Sequence, residues 1–212
     1  MVDSPDPASL SGLIQRARHG DPLALHDLLD AVTPMVRGWC GPIALEDAPD
    51  AVQETLIVVL KHLADVREPA AFAGWLRTVA VREAVRIANR AARAIPSELP
   101  DLPAPGDPSL AADVDDVLRR LTPEHRAILM LRDRDGFTED EASATLGIPI
   151  GTVRSRLFRA RRAFGSAWLG RPARREAQAS REAQASREAQ AGREAQAGRD
   201  PKASPDSPGG HR

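Results

Sequence analysis

Between Arg154 and Arg162 the sequence sets residues at a spacing suited to reading nucleic acid. Arg154, Ser155, Arg156, Phe158, Arg159 and Arg162 all fall in this run. On a helix advancing about 100° per residue with Arg154 at zero, Arg154, Phe158, Arg162, Ser155 and Arg159 lie between 0° and about 140°. Val153, Leu157, Ala160, Phe164 and Trp168 lie between about 240° and 320°, a narrow apolar stripe that must face a core. The opposite face then carries guanidinium groups, one hydroxyl and one aromatic ring. A guanidinium fork pairs bidentately with the O6 and N7 acceptors of guanine, and an apolar edge packs on a thymine methyl. A charge run is more often only a solvated helix face. Here residues 142–175 hold eight arginines and no acid, and Phe158 is apolar on the charged side, so DNA contact is the favoured reading.

Such a face must be held by a scaffold, and the preceding residues supply one. Thr122 followed by Pro123 is an N-cap with proline at the first helical position, opening a helix through Ile128, Leu129 and Leu131. Thr138 and Glu141 have capping-box spacing. Ala142, Leu146 and Ile148 continue the apolar pattern to a break at Gly147, Ile148 and Pro149, and a further helix follows from about Gly151. Two short helices joined by a glycine-containing turn make a helix-turn-helix, with the arginine face on the second.

Composition divides the 212 residues into four parts. Residues 9–93 are periodic: Leu13, Ile14 and Ala17 space one helix, and Leu25, Leu28, Leu29, Val32 and Val36 a second. A third begins near Asp47, with Val52, Leu56, Val59, Leu60 and Leu63 as its buried stripe. Residues 94–112 contain Pro96, Pro100, Pro103, Pro105 and Pro108 and read as a linker. Residues 113–169 are helical again. Residues 170–212 contain no Val, Ile, Leu, Met, Phe or Trp and carry four hexapeptides, REAQAS twice and REAQAG twice, from Arg175. A six-residue period advances about 600° and forms no stripe, so a disordered tail is favoured over a partner-binding helix.

Aromatics are 3% with no Tyr, so the core must be built from Leu, Val, Ile and Ala, which suits helices. The formal net charge of −1 conceals an acidic first half, with 10 basic and 15 acidic side chains in residues 1–110. A single cysteine, Cys40, excludes an intramolecular disulfide and a Cys-cluster zinc site and fits a reducing cytosol. The N-terminus lacks the basic and apolar regions of a signal peptide, and no apolar run approaches 18 residues. A soluble, cytoplasmic protein with no membrane partner is expected. His19, His26, His62 and His125 are scattered, and no GxxxxGK[ST], HExxH or GxSxG occurs. Neither an enzyme, nor a cofactor or metal, nor a small-molecule substrate is expected.

The run IGTVRSRLFRAR from Ile150, with LTPEHRAILMLRDRDGFTEDEASATLGIP before it, resembles region 4 of bacterial sigma factors of the extracytoplasmic-function group. The resemblance implies that the helix from about Gly151 enters the major groove of a promoter −35 element. It implies Arg154, Ser155, Phe158 and Arg159 facing bases and Arg156 and Arg162 nearer phosphates. DAPDAVQETL, residues 47–56, resembles the family's region 2 helix, which implies contact of Asp50, Gln53, Glu54 and Ile57 with the clamp helices of the RNA polymerase β′ subunit. Read alone, that acidic patch is an ordinary solvated face. Pro49 departs from the family pattern but is tolerable in a first turn. ADVREPAAFAGWLRTVAVREAVRIANRAAR resembles the −10 segment, implying a splayed base in the loop Asp65, Val66, Arg67, Glu68 and Pro69, beside the basic Arg77, Arg82 and Arg86. Trp75 has apolar neighbours at helical spacing, which favours core packing over a base-stacking platform.

The implied fold is all-α: an N-terminal helical bundle, sigma region 2, tethered to a C-terminal helix-turn-helix domain, sigma region 4. The implied partners are core RNA polymerase, through the β′ clamp helices and the β flap, promoter DNA, and an anti-sigma factor. Two other classes stay open on the residues alone. One is a polymerase-independent helix-turn-helix repressor, against which no dimerisation stripe is visible. The other is a helical interaction module using the REAQA tail as a scaffold.

Overall fold

The computed structural model describes residues 7–94 and 110–170, and its described elements are helices and turns. The chain divides into a compact unit, Met1–Ala167, and a second unit, Trp168–Arg212. The core of the linker expectation, residues 95–109, and the repeat-tail expectation, residues 171–212, lie outside the described residues.

Helix α1, Pro7–Arg18, precedes α2, Pro22–Ala44. Asp21 caps α2, its carboxylate accepting from the Leu23 and Ala24 amides at 3.0 and 3.1 Å, with Pro22 at the first position. The helix continues through Pro34 and Pro42. An interior proline costs about 3 kcal/mol, and the complete burial of Leu28, Val32, Val36 and Ile43 offsets it at about 1.5–3 kcal/mol per side chain.

Helix α3, Ala48–His62, buries Ala51, Val52, Thr55 and Val59, with Leu63 buried just beyond. Of the expected stripe, Leu56 is only partly buried and Leu60 is 45% exposed. Small Ala51 and Thr55 let α3 approach its neighbours on their side, which turns Leu60 outward. The Thr55 hydroxyl is satisfied within the helix, donating to the Ala51 carbonyl at 2.7 Å. After α3, two single 3₁₀ turns, Leu63–Asp65 and Pro69–Ala71, bracket a short connection before α4, Phe72–Ala94. Phe72, Leu76, Ala80, Ala84 and Ile87 form the buried stripe of α4.

Helix α5 spans Leu110–Arg119, so Leu110, Ala111 and Ala112 belong to a helix and not to the linker as expected. The run has no proline after Pro108, which removes the obstacle to helix. Helix α6, Pro123–Leu129, opens at Thr122, whose hydroxyl accepts from the His125 amide at 3.3 Å, and ends in a π turn, Met130–Arg134. Helix α7, Glu139–Leu146, has the expected capping box between Thr138 and Glu141. Its end is Gly147 at φ 67°, the left-handed conformation that favours glycine. Helix α8 runs Ile150–Leu169 and buries Val153, Leu157 and Ala160.

Within the first unit, α6 and α7 pack on α2 and α4. The two helical blocks expected on a tether therefore lie against each other, and their buried side chains form one hydrophobic cluster.

Candidate nucleic-acid and polymerase interface

Helix α8 presents Arg154, Ser155, Phe158, Arg159 and Arg162 to solvent, as its angular pattern required, with Arg156 half-buried at the margin. Phe158 is 62% exposed. It does not stand alone, because the Arg162 guanidinium lies 5.7 Å from its ring centre. Arg154 donates from Nε to Glu139 at 2.7 Å, which fixes its stem against the first turn of α7. Arg159 donates to the Ser155 carbonyl at 3.2 Å along the same face. Arg161, on the border of that face, donates from Nε to Asp133 at 3.1 Å and ties α8 to the π turn. Burial, then the nearby charges of Arg159 and Arg156, lower the His125 pKa, so this ring stays neutral at pH 7 beside the basic helix.

The loop expected to take a splayed base is a surface cavity of about 560 Å³. Asp65, Val66, Arg67 and Glu68 line it together with Phe72, Trp75 and Val79. Pro69, the fifth residue of the expected loop, begins the next 3₁₀ turn. Phe72 and Trp75 sit with ring centroids 5.6 Å apart and planes tilted by 41°. Trp75 packs against the core, the favoured of the two readings weighed for it, and is half-buried where it lines the cavity.

The three arginines assigned beside that loop do not line it. Arg77 lies between two rings, 4.9 Å from the Trp39 centre and 5.0 Å from the Phe137 centre. Arg82 donates to the Thr145 and Ala144 carbonyls at 2.8 and 2.9 Å. Arg86 reaches Glu83 at 2.6 Å and Glu54 at 3.5 Å. On α3, Asp50 and Gln53 are exposed, and Glu54 and Ile57 half-exposed, so the four expected polymerase contacts share the outward side of one helix.

Two groups of residues carried no motif. Arg126 is buried, donating to the Ile43, Leu118 and Leu121 carbonyls at 2.7, 3.3 and 3.1 Å. Its burial holds its pKa below the ordinary arginine value, while Glu46, Glu124 and Asp47 pull the other way. An arginine directly before the apolar run Ala127, Ile128 and Leu129 was the available signal. Glu46 accepts from Arg119 at 2.8 Å, and that bond holds its carboxyl below the usual range. Glu124 accepts from Asn89 at 2.7 Å. Burial works to raise the Glu124 pKa, and hydrogen bonds from Asn89, its own backbone amide and Thr122 outweigh burial and lower it. Among the described residues no His, Cys, Asp and Glu cluster could hold a metal, and no helix is long and apolar enough to cross a membrane.

Comparison with known proteins agrees with this layout. A family model described as Sigma-70 region 2 matches residues 25–94, and one described as Sigma-70, region 4 matches residues 111–164. The ECF RNA polymerase sigma factor SigE of Mycolicibacterium smegmatis is 35% identical over 127 residues, covering 54% of this chain and 49% of the relative. The ECF RNA polymerase sigma-E factor of Haemophilus influenzae is 27% identical over 169 residues, covering 70% and 89%. Its Escherichia coli K12 counterpart is 29% identical over 171 residues, covering 71% and 90%. The chain therefore spans about half of the first relative and about nine-tenths of the other two. Two solved structures share the fold. The sigma factor RpoE of Bartonella quintana, in complex with the anti-sigma factor NepR, matches at TM-score 0.51 and 23% identity, over 67% of this chain and 94% of that one. CnrH, in complex with the cytosolic domain of CnrY, matches at 0.52 and 22%, over 77% and 99%.

Proposed function

Because the chain belongs to the extracytoplasmic-function group of the sigma-70 family, we propose that its two blocks read the two halves of a promoter for RNA polymerase. As a sigma factor it binds core polymerase and directs promoter recognition and transcription initiation. Helix α8 enters the major groove of the −35 element, with Arg154, Ser155, Phe158 and Arg159 at base edges and Arg156 and Arg162 toward phosphates. The cavity beside Asp65 to Pro69 receives an unstacked base of the −10 strand, and Arg77, Arg82 and Arg86 answer the backbone charge. Capturing a flipped base offsets an unstacking cost of a few kcal/mol, so melting is driven by binding. No covalent chemistry is assigned to the chain.

Asp50, Gln53, Glu54 and Ile57 meet the β′ clamp helices, where the carboxylates and amide satisfy basic side chains. The β flap takes the helix-turn-helix block. An anti-sigma factor is a further partner, by analogy with the complex of the Bartonella quintana sigma factor RpoE with NepR. The working compartment is the cytoplasm.

The observation that carries this reading is the exposed face of α8, where guanidinium groups surround an outward Phe158 in a stretch free of acids. Run-off transcription on a genomic fragment library tests it. Transcripts should require both core polymerase and this chain and should share paired upstream elements. Tight, sequence-specific footprinting by the free chain at physiological salt, with no dependence on core enzyme, would favour the repressor reading.

A further inference from the structure

An arginine side chain turns about four single bonds, and holding it in one pose against a base costs conformational entropy unless the protein has already fixed it. Helix α8 lies in a stretch, residues 142–175, that holds no acid. Among the described residues, two carboxylates from earlier elements nevertheless pair with its arginines. Asp133 pairs with Arg161, which stands on the border of the base-facing set. Glu139 pairs with Arg154, which stands inside that set, Oε2 accepting from Nε at 2.7 Å. Three acids open α7, and they divide the work. Glu141 closes the capping box with Thr138, Asp140 is exposed, and Glu139 reaches α8. The Arg154 and Glu139 side chains are 68% and 32% exposed, and an ion pair so open to water adds little to folding. A carboxylate beside a phosphate-binding face also weakens the attraction of that face for DNA. What the pair contributes is therefore geometry.

We propose that Glu139 is a positioning residue that aims the Arg154 fork at one guanine of the −35 element. The inference rests on the assignment of α8 to −35 bases. A guanidinium has five N–H donors, one on Nε and two on each Nη. The bond to Glu139 occupies the Nε donor and leaves the four on Nη1 and Nη2. The side-on approach through Nε is thereby closed. What remains is the end-on approach, in which Nη1 and Nη2 together meet the O6 and N7 acceptors of guanine. Glu139 is itself held, since it stands in the first turn of α7, where the helix dipole favours a carboxylate and the adjacent capping box fixes the backbone. The direction of Arg154 is thus set from outside its own helix. Arg159 differs, because its Nε donates to the Ser155 carbonyl of α8 itself.

The test uses holoenzyme assembled from core polymerase and the full chain, transcribing a promoter library randomised across the −35 element, with the transcripts sequenced to give the preference at each base pair. Arg154→Ala marks the pair that Arg154 reads. Glu139→Ala should relax the preference at that same pair by about two- to twelvefold, as expected for leaving one long side chain to be fixed on binding. Glu139→Gln removes the same charge but keeps an oxygen for Nε, and should retain most of the preference. In the Arg154→Ala background, Glu139→Ala should change the preference no further, because a residue that acts through another is not additive with it. A preference unmoved by Glu139→Ala, while Arg154→Ala relaxes it, would overturn the positioning role and leave base reading by α8 intact. Equal losses with alanine and glutamine would assign the effect to charge and overturn the proposal. A loss at a different base pair, or a further loss in the double variant, would make Glu139 a DNA contact in its own right and overturn it as well. If Arg154→Ala alters no −35 preference, base reading by Arg154 fails and the proposal falls with it.

Discussion

Arg126 shows how one side chain decides local stability without belonging to any contact with DNA. Its guanidinium is buried and spends its donors on three backbone carbonyls, at Ile43, Leu118 and Leu121, so it closes the ends of two helices. Replacing it with methionine keeps the apolar stem volume and removes the guanidinium from all three carbonyls, of which Leu118 keeps a bond from the Leu121 amide. A hydrogen bond to a charged group contributes about 1.5–3 kcal/mol, and an unsatisfied buried acceptor costs about 1–3 kcal/mol. Arg126→Met should therefore lower the unfolding free energy by about 2–4 kcal/mol in urea titration, with the denaturant midpoint falling accordingly. A loss below about 0.5 kcal/mol would mean that water replaces the guanidinium at all three sites. The residue was not legible as a keystone beforehand, because carbonyl acceptors belong to every residue type and leave no trace in a sequence. The exposed set on α8 was legible, because it needs only side-chain identity and a 3.6-residue period.

Elements were readable where their determinants are local. The capping box at Thr138 and Glu141, the proline-started α6 and the glycine that ends α7 all depend on neighbours within a few residues, and all three formed. Helix α3 shows where pattern gives way to packing. Its apolar residues set the right helix, but small Ala51 and Thr55 decided which side went inward, and Leu60 came out. The first turn of α5 was hidden because its residues adjoin a proline-rich run. The outward side of α3 carries its own prediction. Gln53→Ala with Glu54→Ala should leave helicity intact, since alanine is the better helix former, and should weaken competition for core polymerase at least tenfold, as the loss of two charge-assisted or amide contacts implies. Glu54 also sits 3.5 Å from Arg86, so a rise in strand affinity from the freed arginine is a second, smaller readout. Normal competition for core enzyme would move the polymerase contact to another face.

At the scale of the whole molecule, the contact between the blocks escaped the sequence for a physical reason. Its bonds join residues 35 to 96 positions apart, and most run from a side chain to a backbone carbonyl. The same contact should respond to acid. The Glu46 carboxyl is held down by Arg119, and that of Glu124 by Asn89 and backbone bonds against its burial. A depressed carboxylate contributes stability above its ordinary value and loses it as pH falls through the depressed one. The seam should therefore weaken below about pH 4.5, seen as growth in the radius of gyration ahead of global unfolding. Asp47 works in the opposite sense, since burial and then Glu46 and Asp50 raise its pKa. A seam indifferent to pH down to global unfolding would show that these two carboxylates do not hold it. In the proposed function, α8 selects the promoter while the rest of the chain delivers it. Sequencing the transcripts that core polymerase makes from a randomised promoter library, with the wild-type chain and with Arg159→Ala, tests this most directly. The variant should lose discrimination at particular −35 bases by about 1–3 kcal/mol and keep the wild-type −10 preference. An unaltered −35 preference, or an even loss across every promoter, would contradict it.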